Sequence, residues 1–187
     1  MGLDMYLERY PRYKHYTPRE ACSVNYHLEW AAEIKSLPPE KDWEALNNMC
    51  KSREEIGYWR KANAIHKWFV DHVQGGEDDC DYHEEVTEQI LLELKGICEE
   101  ILNNCKLADG EVIEYWDSNL TPHYTSGMVI SNPEICEALL PTQSGFFFGD
   151  TNYTKYYLDD VKDTLAIVDA ALETDFERYA IYYVSSW

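Results

Sequence analysis

The sequence predicts an α+β fold: a small, mostly antiparallel sheet that includes the N- and C-terminal strands, packed against three to four helices. Three observations carry that expectation. Leu3–Tyr10 alternates loosely, Phe176–Val184 is a β-rich run, and the segments between them repeat apolar residues at helical spacing. Strands at both ends with helices between them pair most simply over a helical layer.

Pro11 and Pro18 bracket a loop rich in Tyr and basic residues. Ser23–Trp30 then alternates strictly, with Val24, Tyr26, Leu28 and Trp30 on one face, which predicts a strand; a helix running into Ala31–Ile34 is the competing reading. Pro38-Pro39 stops that element and leads into a short helix from Glu40 to about Lys51. A brief extended segment at residues 54–56 reaches Gly57, which permits a sharp entry into a helix. In that helix Trp59, Ala62, His66, Phe69 and Val73 form an inward stripe, with Asn63 and Val70 beside it, and Gly75-Gly76 is the stop.

Residues 77–81 read as a solvated turn. From His83 to about Cys105, Val86, Ile90, Leu94, Ile97, Ile101 and Leu102 define an amphipathic helix. Val112–Tyr115 and Met128–Ile130 are readable as strands or as ordered loop, and Pro133–Leu140 as a short helix cut by Pro141. The segment Thr142–Gly149 holds three phenylalanines between glycines. Asp150 or Thr151 caps the next helix, Tyr153 to about Leu172, with Tyr157, Val161, Leu165, Val168 and Leu172 inward.

A chain of 187 residues with no Pro/Gly/Ser linker reads as one domain, 1–187, and its 45% hydrophobic content supplies a core. The net charge of −19 is uneven. Residues 1–70 carry 11 bases against 10 acids, and residues 71–187 carry 5 against 25, so the segment around the 57–74 helix is a basic island. An acidic field repels a phosphate backbone, which argues against a groove for long nucleic acid, while a local basic pocket can still hold one small anion. The same field attracts a basic protein surface. Six cysteines lie scattered without a C-x-x-C pair, and there is no signal peptide or apolar run of membrane-spanning length. A cytoplasmic protein with reduced thiols and no membrane partner is expected.

Asn63 and His66 interrupt a face that should be apolar, and an unpartnered buried polar group costs about 1–3 kcal/mol, so each requires either a protein partner or a pocket. The pocket reading makes Trp59, Arg60, Asn63, His66 and Lys67 a nucleotide or small-anion site: a ring for a base, an amide for its edge, cations for phosphate. His66 could also serve as an acid or base. Gln143, Ser144 and Gly145, with Thr151 at the following helix N-terminus, would close over that ligand. The Gly-x-x-x-Gly there lacks the Lys-Ser/Thr of a P-loop. The acidic groups at 78–81, 84–88 and 159–163 read as solvated faces, so no metal or cofactor is expected, and no nucleophile elbow or activated cysteine is evident.

Three stretches, Met1–Leu7, Gly57–Trp68, and Leu140–Gly149 with the final Ser-Ser-Trp187, resemble a family of small, functionally uncharacterised bacteriophage and prophage proteins. The resemblance implies a phage-encoded protein acting in the host cytoplasm and favours interference with host machinery or defence; it assigns no catalytic residue. The leading expectation is therefore capture of a phosphate-bearing, nucleotide-derived ligand, sequestering a host defence signal. Two alternatives stand beside it: an acidic inhibitor bound to a basic face of a host enzyme, and a phosphodiesterase-like enzyme using His66. Oligomeric state, homo-oligomers included, is left open by the sequence.

Overall fold

The computed structural model describes residues 2–27, 38–119, 121–145 and 148–187. It is an α+β fold with two antiparallel sheets. Strand β1 (Asp4–Pro11) is the centre of a three-stranded sheet, between β2 (Glu54–Arg60) and the C-terminal strand β5 (Tyr179–Ser186). Both neighbours run antiparallel to β1, with Met5 opposite Trp59 and Ser185 and a bulge against β2 between Leu7 and Glu8.

The period of two along β1 serves two cores. Leu3, Met5 and Leu7 enter the larger one, joined by Ile181 and Tyr183 of β5, and this face is covered by α3 (Asn63–Val73), α4 (Glu88–Asn104) and α6 (Lys155–Leu172). Tyr10, Ala180 and Tyr182 face the opposite way, onto α1 (Pro18–His27) and α2 (Trp43–Lys51). Glu8 is buried on that second face. Its carboxylate accepts from Tyr10 at 2.8 Å and Tyr82 at 2.6 Å and lies 3.3 Å from Arg53, so the buried charge is paired and hydrogen-bonded.

Three segments depart from the expectation. Residues 23–27 are helical, and residues 28–37 lie outside the described ones. The reason is a capping box: Thr17 N donates to Glu20 Oε2 at 2.8 Å, and Glu20 N donates to Thr17 Oγ1 at 3.4 Å, with Pro18 between them. The helix expected to start at Gly57 is instead strand β2 followed by α3. Gly57 marks close packing, since a Cβ there would stand 2.2 Å from Ile167 Cγ2 of α6. Trp59 is accordingly an inward strand residue whose indole N–H donates to Thr164 Oγ1 at 2.9 Å. The third departure is in the caps: Thr87 and Thr154, through their side chains, start α4 and α6, leaving Asp150 and Thr151 outside the helix.

β3 (Leu107–Trp116) and β4 (Pro122–Ile130) form the second sheet, a two-stranded ribbon. Asp117 closes its turn by accepting from the amides of Asn119 and Thr121 at 2.8 and 2.9 Å. Gly110 lies opposite Gly127, and the side chains of Val129 and Val112 fill the space a Cβ would need. The short helix α5 (Glu134–Leu139) leads from the ribbon to residues 142–150. Among the described residues no helix is long and apolar enough to cross a membrane.

Candidate functional site

The junction of β2 and α3 is shaped by two unusual backbone conformations. Lys61 is left-handed, with φ of 62°, its amide held by Leu3 O at 2.8 Å. A non-glycine residue in this region costs about 1 kcal/mol or more, and such positions cluster at functional sites. Ala62 follows at φ −75° and ψ 70°, an inverse γ-turn closed by Asn63 N donating to Lys61 O at 2.9 Å. Helix α3 then starts with no side-chain cap. Its first helical bond is His66 N to Ala62 O, and the amides of Ala64 and Ile65 find no acceptor among the described residues.

Ala64 and Ile65 line a cleft of about 270 Å³ between α3 and α6. Arg60 and Lys61 supply cations to its wall, Asp150 and Gly149 come from the 142–150 segment, and Tyr156 and Asp160 from α6. Gly149 is left-handed, with φ of 88°, and a Cβ there would stand 3.1 Å from Lys61 Cβ, so the close fit of the two turns requires glycine. The Asp160 carboxyl is pushed up to about 7, first by burial and then by Asp163 and Asp159. It has no hydrogen-bond partner among the described residues. Tyr156 is 74% exposed at the rim.

Asn63 lines this cleft, yet its amide is committed to the chain. Nδ2 donates to Phe148 O at 3.0 Å and Asp150 O at 2.8 Å, and Oδ1 accepts from Gln143 N at 3.1 Å. Asn63 thus fastens the 142–150 segment to α3. His66 is fully enclosed, with Nδ1 2.7 Å from the Tyr183 hydroxyl and Nε2 3.0 Å from Asp78 Oδ1. A carboxylate only accepts, so Nε2 carries the proton. Burial lowers the pKa of His66 and outweighs Asp78, which leaves the ring neutral and makes Nδ1 the acceptor of the Tyr183 O–H. Phe148 packs edge-on against the imidazole, and Trp187 Nε1 donates to the same Asp78 oxygen at 3.2 Å.

Of the two readings, protein partner or pocket, the structure gives protein partners to both side chains, and Asn63 borders the cleft as well. The sequence-proposed residues divide accordingly. Arg60 and Asn63 border the cleft. Trp59 and His66 are enclosed, and Lys67 lies on the outer side of α3, paired with Asp71 at 2.5 Å. Gln143 bonds inward through its backbone amide, and its side chain reaches to 3.5 Å from Asp78 Oδ2. Ser144, Gly145 and Thr151 are exposed; the Thr151 carbonyl accepts from Thr142 Oγ1 at 3.0 Å. Phe146 and Phe147 lie outside the described residues, whereas Phe148 is buried.

Sequence reasoning missed Lys61, Asp160, Tyr156 and the two free amides. It also missed a pairing of thiols: Cys22 Sγ lies 3.0 Å from Cys50 Sγ, and Cys105 Sγ lies 3.3 Å from Cys136 Sγ, all four cysteines being free. The acidic groups expected to be solvated faces are so only in part: Asp163, Glu84 and Glu88 are exposed, whereas Asp159 is half-buried and pairs with Lys155 and Lys162, Asp160 lies in the cleft and Asp78 is bound to His66. No cluster of three or more His, Cys, Asp or Glu suited to a metal occurs among the described residues. No model of a known protein family, no curated protein sequence and no solved structure matches this chain.

Proposed function

We propose that this protein captures a small phosphate-bearing, nucleotide-derived ligand in the cleft between α3 and α6. The observation that carries the reading is the uncapped first turn of α3, whose Ala64 and Ile65 line a cavity flanked by Arg60 and Lys61. Free amides at a helix N-terminus and two nearby cations suit a phosphate oxygen better than water alone does. Tyr156 offers an exposed ring for a base, and Asp160 offers a carboxyl that is half protonated near neutral pH.

Binding without turnover is favoured over a phosphodiesterase reaction, because the imidazole of His66 is enclosed and both ring nitrogens are engaged. The phage resemblance gives the binding a purpose: a phage-encoded protein that withdraws a host defence nucleotide from solution. Differential scanning fluorimetry against a panel of mono-, di- and cyclic nucleotides tests this. A ligand at a hundredfold excess over its dissociation constant stabilises by about 2.7 kcal/mol, and Lys61→Ala and Arg60→Ala should remove that gain. A panel without a stabiliser contradicts it. Heat release of intact ligand separates capture from turnover.

A further inference from the structure

The β3–β4 ribbon stands apart from the cleft and carries a different chemistry. Residues 107–130 contain Asp109, Glu111, Glu114 and Asp117 and no Lys or Arg. Tyr115, Trp116 and Tyr124 are each more than half exposed at its tip. Between that tip and residues 149–152 runs a groove of about 560 Å³, in which Tyr115 and Trp116 face a shared space with the acids Glu114 and Asp150.

The ribbon has only two strands, so the outer edge of β3 has no strand partner over ten residues among the described ones, while β4 touches Thr154 through a bridge at Val129. Such an edge is an invitation to strand addition, and proteins commonly guard it with Lys or Pro. Here the guard is acidic. Two copies of a chain of net charge −19 repel one another along such an edge, so self-pairing is opposed, and a basic segment is attracted.

We infer that the ribbon docks a Lys/Arg-rich extended segment of another protein, laid as a third strand along β3 with one cationic side chain in the groove beside Tyr115 and Trp116. Main-chain bonds to β3 supply affinity. The aromatic rings and the carboxylates of Glu114 and Asp150 select a guanidinium or ammonium group through cation–π attraction and charge. The ribbon itself lines no part of the α3–α6 cleft, while Gly149, Asp150 and Asn152 border both, so a partner of this kind would sit beside the cleft.

The test uses the full chain and a synthetic peptide of alternating Arg and Val, titrated by fluorescence anisotropy at two salt concentrations. Binding that weakens as salt rises is expected. Glu111→Lys/Glu114→Lys should weaken it by roughly tenfold or more, and Trp116→Ala by a similar factor, with circular dichroism confirming the fold. Glu99→Lys/Glu100→Lys on α4 changes the net charge equally and should leave affinity within about twofold. Equal loss from both charge reversals, an unaffected Trp116→Ala variant, or spermine competing as well as the peptide would reduce the attraction to bulk acidity and overturn the proposal.

Discussion

Nε2 of His66 and Oδ1 of Asp78 stand 3.0 Å apart, and that contact joins α3 to the turn that follows it at a point fully closed to solvent on the histidine side. The same oxygen takes the indole N–H of Trp187, so one carboxylate ties helix, turn and C-terminus together. Asp78→Ala leaves three donors without this carboxylate, those of His66, Trp187 and Gln143, the first of them buried. A loss of about 1–3 kcal/mol in urea unfolding is expected, with Trp187→Phe costing less because its ring is half exposed.

The enclosed His66 also sets an acid limit. Its folded pKa is lowered from the ordinary 6.5, so the unfolded chain takes up a proton that the folded chain refuses. Its contribution to stability is complete above about pH 6.5 and is lost as pH falls below it. His66→Gln should be less stable at pH 8, and it should show a shallower decline between pH 6.5 and 5 than the parent protein in pH-dependent thermal melts.

Asp160 acts in the opposite sense. Its pKa rises on folding from 3.8 to about 7, so the folded chain binds the extra proton and stability falls as pH climbs through that interval. Asp160→Asn should therefore stabilise at pH 8 by about 1–3 kcal/mol, discounted for partial exposure, and have little effect near pH 4. The ratio of phosphate affinities, parent over Asp160→Asn, should drop as pH rises through 7 in calorimetry, a comparison in which the titration of phosphate itself cancels.

Asn63 makes three hydrogen bonds to the backbone of residues 143–150. Asn63→Ala should cost about 2–4 kcal/mol and speed amide exchange across residues 143–150 more than in α4. A variant with unchanged exchange would show that the segment is held elsewhere.

The thiol pairs Cys22/Cys50 and Cys105/Cys136 are close enough to oxidise with small shifts. Oxidised glutathione should convert each pair to a disulfide with loss of two hydrogens and release of reduced glutathione. Peptide mapping should find those two bridges, with Cys98, which is buried and belongs to neither pair, unmodified. Mixed pairings would contradict the arrangement.

How much of this was readable from residue order depends on the range of each interaction. The N- and C-terminal strands, α4 and α6 follow from local periodicity and the helix stop from Gly75-Gly76, and the structure has them. Trp59, Ala62, His66, Phe69 and Val73 are all buried as expected, but Trp59 comes from a strand: the Lys61–Ala62 turn between strand and helix leaves the helical spacing intact by coincidence, and a left-handed lysine has no sequence signature. The Thr17/Glu20 box was legible and outweighs the alternation of 23–27. His66 hid its partner Tyr183, 117 residues away, and Asp160 was indistinguishable from Asp159 and Asp163 until the helix was placed against the cleft.

The most direct measurement is a titration of nitrogen-labelled protein with nucleoside 5′-monophosphates and pyrophosphate, following backbone amide resonances. The account predicts that Ala64 and Ile65 shift most, that Lys61 and Gly149 follow, and that Lys61→Ala suppresses all four. Saturating ligand that leaves the Ala64 and Ile65 amides unmoved, or that instead perturbs His66 and Gln143, would contradict it.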